Sequence, residues 1–222
     1  MTNRQRFAGW LYFAFQLLVL PDLLRLMNMY LPKPLDLAQL NILLFAINFV
    51  VILIIFHKFL WSNLKYACKN LWKTLKTAFL AFCVYYVANM LLSYLILWIY
   101  PGFSNVNDNN LQSLAVGHFG MMALGVVVLV PVVEETLYRG LLFGRLYGKN
   151  RFLGYAVGTL VFAAVHVLGY VGQYDVLRLC LCLLQYVPAG LALSWAYVEA
   201  GSIWAPVLMH MTINLIGILA MR

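Results

Sequence analysis

Seven stretches of this chain are apolar over about the twenty residues that a helix needs to cross a hydrocarbon layer. They run roughly over 8–30, 38–60, 78–100, 114–134, 152–172, 177–198 and 202–220. In lipid, every backbone N–H and C=O must find its partner inside the protein. An α-helix meets that demand within one segment, and so does little else short of a closed barrel. Composition agrees: 64% of the 222 residues are hydrophobic and 10% are charged, where a soluble domain has roughly half and a quarter. The expected fold class is therefore all-α, a polytopic transmembrane bundle of about seven spans.

The first apolar run follows Arg4 and Arg6, as a signal peptide's would, but no small-residue cleavage pattern follows it. It reads as an uncleaved helix bent at Pro21. Between the second and third runs, Lys65, Lys69, Lys73 and Lys76 recur at helical spacing with Leu64, Leu71, Trp72 and Leu75 among them. Residues 58–77 are thus either a basic cytoplasmic loop or, over 62–77, an interfacial helix that brings the total to eight. Trp61, Trp72 and Trp98 fit an interfacial belt.

The net charge of +8 is read here as topology and lipid-surface charge, with the bilayer and not nucleic acid as partner. With the N-terminus inside, the inner segments carry eleven Lys and Arg; the outer ones carry four, Arg25, Lys33, Arg178 and Arg222. The N-terminus is expected in the cytoplasm of what looks like a bacterial plasma membrane. Cys68, Cys83, Cys180 and Cys182 lie in or beside apolar runs without CxxC spacing and read as packing residues. The turn-rich stretch 101–110 is expected as an outer loop.

Ionisable groups at membrane depth cost about 2.5–3.5 kcal/mol each on insertion scales, so they are few and need a use. Here they are Glu134, Glu135 and Arg139, then His166, then His210 with Asn214 one turn later. His57 and His118 sit at span ends and read as structural. If the fourth helix continues to Tyr147, Glu134 lies roughly 20 Å from that end. His166 lies roughly 20 Å in from Phe152, and His210 about 12–15 Å in from Gly201. Three helices thus bring a carboxylate and two imidazoles to similar depth. Glu135 and Arg139 share a helix face and can pair. Glu134 has no local cation, so its partners are on other helices. A carboxylate set beside imidazoles can take a proton from water, and an imidazole and an amide can hold an oxyanion. That constellation fits hydrolysis of an acyl or peptide bond. Two other classes remain open: a non-catalytic membrane immunity or regulatory protein, and a proton-coupled transporter. No inverted repeat supports the transporter.

The motifs Glu134-Glu135-x-x-x-Arg139, Phe162-x-x-x-His166 and His210-x-x-x-Asn214, in this order and each in or beside an apolar run, resemble the CPBP (Abi) family. That family holds type II CAAX-prenyl proteases and bacteriocin-processing or self-immunity proteins. The resemblance covers about 115–218 and divides the chain into an N-terminal transmembrane region, 1–112, and a catalytic CPBP-like core, 113–222. It implies an intramembrane endopeptidase acting on a membrane-associated protein or peptide, from a cavity accessible to the cytoplasm. It implies Glu134 as base, His166 as its partner on the water, and His210 with Asn214 as oxyanion donors. Glu135 and Arg139 would support the geometry. No HExxH is present. Glu134, His166 and His210 would be the ligands if zinc were bound; a metal-free site with no required cofactor is the favoured expectation.

Overall fold

The computed structural model describes residues 1–221; Arg222, one of the four outer charges counted above, lies outside the described residues. Among the described residues the fold is nine helices and no strand. The first run is a bent pair, α1 (Asn3–Leu18) and α2 (Leu20–Met29), meeting at 51°. Thr2 opens α1 with a capping box shared with Gln5. The bend falls at Val19, where the α1 cap ends, and Pro21 occupies the first turn of α2, where its missing N–H costs nothing.

Asp36 caps α3 (Leu37–Lys69) by the same device, with Gln39 as its partner. At 33 residues this helix is about 50 Å long, roughly 20 Å more than a hydrocarbon core. Nothing between Phe59 and Lys69 breaks it, so neither of the two alternatives over 58–77, a loop or a separate interfacial helix, is what forms. Asn70 alone separates α3 from α4 (Leu71–Ile99). The lysines are therefore split between the protruding ends of a helical hairpin.

The expected loop 101–110 also needs correction. Asn105 caps a short helix, α5 (Val106–Ala115), by accepting from the N–H of Asn107. A turn through Gly117, at φ +79°, then delays the next span. It begins as α6 (Phe119–Tyr147), runs 29 residues, and does continue to Tyr147. Following it are α7 (Arg151–Leu168), α8 (Val176–Ala200) and α9 (Trp204–Ala220). Five helices are long and apolar enough to span a membrane, six if the bent pair counts as one. At 17 residues α9 is shorter, about 26 Å against a core of about 30 Å.

Side-chain contacts define two ends of the bundle. At one end, Asn63 near the C-terminus of α3 accepts from Ser202 and Ile203 in the α8–α9 turn. The start of α1 lies there too, with Gln5 donating to the Ile55 carbonyl. The lysine hairpin and the α6–α7 turn complete this end. At the other, His118 pairs with Asp36 at 3.0 Å, and Arg178 donates to Ser104. One buried core draws on both halves of the chain, with Ile52, Phe56 and Ala81 packed among Leu137, Leu193 and Val207.

Close helix approach depends on glycine. A Cβ on Gly154 would sit 2.8 Å from the Tyr147 backbone, which fixes the α6–α7 hairpin, whereas one on Gly217 of α9 meets nothing within 4 Å. Gly154→Ala should therefore destabilise by about 1–3 kcal/mol, while Gly217→Ala should be neutral or gain up to about 1 kcal/mol. Thermal unfolding of the two variants in detergent micelles checks this; equal shifts would contradict it.

Candidate active site

The polar residues of α6 lie between two widened, π-helical stretches, Gly125–Leu129 and Thr136–Phe143. Pro131 explains why the first is there. It has no N–H to give, and the N–H of Val130 bonds back five residues to the Gly125 carbonyl. The Val126 carbonyl, whose donor in that widened turn would be Pro131, takes the Asn214 side-chain amide instead, at 2.8 Å. Such turns inside α-helices occur frequently at functional sites. Here one lets α9 bond directly to the backbone of α6 just ahead of the two glutamates.

Glu135 is completely buried, and its Oε1 is shared. Arg139 Nη1 donates to it from 3.0 Å, and His210 Nδ1 lies 2.7 Å away. Arg139 is itself 1% exposed; its Nη2 donates to the Gly190 carbonyl on α8, and its guanidinium lies 4.3 Å over the Phe162 ring of α7. One ion pair thus joins α6, α7, α8 and α9.

Glu134 points the other way. Its Oε2 has no hydrogen-bonding protein group among the described residues, yet it lies 3.8 Å from His166 Nε2 and 4.0 Å from His210 Nε2. The tautomers follow from the other ring nitrogens. His166 Nδ1 is 2.8 Å from the Phe162 carbonyl, which only accepts, so Nδ1 carries the hydrogen. His210 Nδ1 likewise donates to the Glu135 carboxylate. In the neutral rings both Nε2 atoms face Glu134 as acceptors; a protonated ring donates there instead. The His166 ring is further held by Tyr186, stacked at 4.4 Å and 28°.

These groups form the floor of a cavity of about 830 Å³. Tyr138, 2% exposed and wedged edge-on between Phe13 of α1 and Phe162, closes its base. Its walls rise past Tyr85 and Asn89 to a rim that includes Asn107, Asp108 and Asn110 of α5 and Gln173 after α7. No residue of the lysine hairpin or of the α6–α7 turn lines it. Asp108 is exposed at the rim, yet neighbouring protein crowds it. That crowding pushes its carboxyl above the ordinary range, and the charge of His166 partly opposes the shift.

The structure therefore brings Glu134, His166 and His210 together, with Asn214 one turn beyond on the same wall, and sets Glu135 and Arg139 behind them. Sequence reasoning missed Tyr186, Gly190 and Asp108. Tyr186 and Gly190 lie on α8, which carries no motif, and Asp108 is in a segment read as plain loop. Among the described residues, no three His, Cys, Asp or Glu side chains are arranged to hold an ion. Tetrahedral zinc at about 2.1 Å from each ligand draws ligand atoms to about 3.4 Å from each other. The gaps here are 3.8 and 4.0 Å, a width that one water bridges with hydrogen bonds of about 2.8 Å.

Fold and site together define a polytopic membrane protein with a buried carboxylate–imidazole cluster at the floor of a polar-rimmed cavity. Comparison with known proteins places it further. Residues 117–216 match the family model described as type II CAAX prenyl endopeptidase Rce1-like, so this segment of the chain is similar to that family. An Escherichia coli protein named "Uncharacterized 24.3 kDa protein" is 34% identical over 99 residues, 43% of this chain and 42% of that one. The "Putative membrane peptidase YdiL" of Bacillus subtilis (strain 168) is 27% identical over 95 residues, 42% of this chain and 34% of its own. The matched segment spans less than half the length of either relative. No solved structure matches.

The two adjacent glutamates should separate in a stability measurement. Glu135→Gln leaves Arg139 buried without its counter-charge, a loss of about 3–5 kcal/mol. Glu134→Gln removes no protein hydrogen bond and should unfold close to wild type. Denaturation in detergent distinguishes them, and equal losses would contradict the division of labour.

Proposed function

We propose that this protein is an intramembrane endopeptidase that hydrolyses a peptide bond of a membrane-associated protein or peptide, using water activated by Glu134 and His166. The observation that carries the reading is the convergence of Glu134, His166 and His210, from three helices, on a water-wide gap at the floor of the cavity. The match of residues 117–216 to a family model described as endopeptidases, and the printed name of one relative, support the same reaction class.

In the proposed reaction, a water in the gap loses a proton to Glu134 while His166 Nε2 accepts its second hydrogen bond. The water oxygen bonds to the peptide carbonyl carbon, and the C=O electron pair moves onto oxygen. Protonated His210 donates to that oxyanion from Nε2, its ring held square by Glu135. Asn214 uses one N–H on Val126, and its second N–H is the remaining donor for the oxyanion. Collapse re-forms the carbonyl, the C–N bond breaks, and the proton held by Glu134 passes to the leaving amine. Every step uses the chain's own groups, and the site needs no metal in this scheme.

The N-terminus is proposed to lie in the cytoplasm of a bacterial plasma membrane, with the lysine-rich end on that side. The substrate is proposed to be a peptide or protein under maturation, such as a leader-bearing precursor. Self-immunity to a bacteriocin is one setting for such processing.

Glu134→Gln and His210→Ala should each lower turnover by about a hundred-fold or more, the usual worth of a general base or an oxyanion donor. Chelation should leave the wild-type rate unchanged. Terminal-peptide mass spectrometry of cells carrying wild type or Glu134→Gln reads the first outcome. A termini profile unaltered by the substitution, with biological activity kept, would favour a non-catalytic binding role.

A further inference from the structure

The cavity and the basic residues lie at opposite ends of the molecule. One end holds Arg4 and Arg6, the five lysines of the α3–α4 hairpin, and Arg145, Lys149 and Arg151 of the α6–α7 turn, with Glu199 its single acid. The other end holds Arg25, Lys33 and Arg178 among the described residues, alongside Asp22, Asp36, Asp108 and Asp175. So steep an asymmetry in short connections fixes which end stays in the cytoplasm. The cavity opens at the acidic end, past Asp108, Asn110 and Gln173. At the basic end, the packed core around Tyr138, Leu137 and Leu193 closes it.

The mouth is a built feature. Asn105 donates to Gln185 at 2.8 Å, Arg178 ties α8 to Ser104, and the His118–Asp36 pair anchors the start of α6 to that of α3. Its side-chain amides suit the N–H and C=O groups of an extended peptide backbone. From the rim, Glu134 lies about 22 Å down α6 from Phe119. A substrate must therefore thread inward from the acidic face or enter sideways from the leaflet on that side.

We infer that the cavity opens on the non-cytoplasmic face, and that its substrate is a membrane-anchored polypeptide whose cleavable segment lies on that face. The inference rests on the proposed peptidase reading only for the word substrate; the side of the mouth is independent of it. It runs against the cytoplasmic mouth that the family resemblance implies. The chemistry that follows is specific: a prenylated C-terminal tail in the cytoplasm faces the wrong end of this molecule, whereas a translocated leader or a peptide anchored in the outer leaflet faces the right one.

Single-cysteine reporters test this in the full-length protein, with Cys68, Cys83, Cys180 and Cys182 replaced by serine. Asn110→Cys and Gln173→Cys report the rim, and Lys69→Cys the basic end; all three positions are exposed. With a membrane-impermeant maleimide on intact spheroplasts, both rim cysteines should label as fully as after permeabilisation. Lys69→Cys should label roughly ten-fold less until the membrane is opened. The reverse pattern, or labelling of all three before permeabilisation, overturns the inference. Repeating the measurement with Glu134→Gln should leave the pattern unchanged. Failure here is therefore distinct from failure of the peptidase reading, which the termini profile decides.

Discussion

A single carboxylate oxygen, Oε1 of Glu135, is where the second half of the molecule is tied together. It receives Arg139 from its own helix and His210 from α9, while Arg139 reaches across to a backbone carbonyl of α8 and lies over an aromatic ring of α7. Glu135 and Arg139 are shielded from water. A charge in such a place is tolerable only while every partner is present, so the four helices are held in one register or not at all. The catalytic proposal depends on that lock. The His210 ring turns its Nε2 to Glu134 because its Nδ1 is committed to Glu135.

The lock explains why two glutamates stand side by side. Adjacent positions on a helix point about 100° apart. One carboxylate faces the dry seam between helices, and the next faces the cavity. The first holds Arg139 and His210 on one oxygen, Oε1; the second takes no hydrogen bond from any protein group among the described residues. The acid paired with Arg139 and His210 orients the site, and the one without a protein partner is free to take part in the proposed chemistry. The widened turns on either side serve the same arrangement. At the first, Pro131 withholds a donor, and α9 supplies one through Asn214. Backbone demand that a straight helix would meet internally is thereby used to fasten two helices beside the reacting groups.

The cavity's orientation follows from features outside the site. The long α3 carries its lysines beyond the hydrocarbon at one end, and α5 lines the mouth with amides and a carboxylate at the other. Hydrophilic surface at the two ends differs in sign as well as position. A bilayer distinguishes such ends by charge, and the proposed orientation of the chain and of its substrate's approach rests on the same few residues.

Much of this was legible in the residues alone. Apolar runs of spanning length leave helices as the practical way to satisfy the backbone, so the all-α class and the places of the apolar units could be read directly. The pairing of Glu135 with Arg139 could be read too, because helical spacing is local. The choice between a loop and a surface helix over 58–77 could not be made in the sequence, and neither forms, because lysine spacing reports a helix face and not where the helix ends; only an uninterrupted backbone to Lys69 decided that. Sequence placed Glu134, His166 and His210 at one depth but could not turn them toward one another, since depth follows from counting along a helix and facing from how helices pack. The sharing of Glu135 by His210, the stacking of Tyr186 on His166, the use of the Gly190 carbonyl and the end at which the cavity opens all join residues far apart in the chain. Contacts of that kind leave no periodic trace in a sequence, and the tertiary fold alone created them.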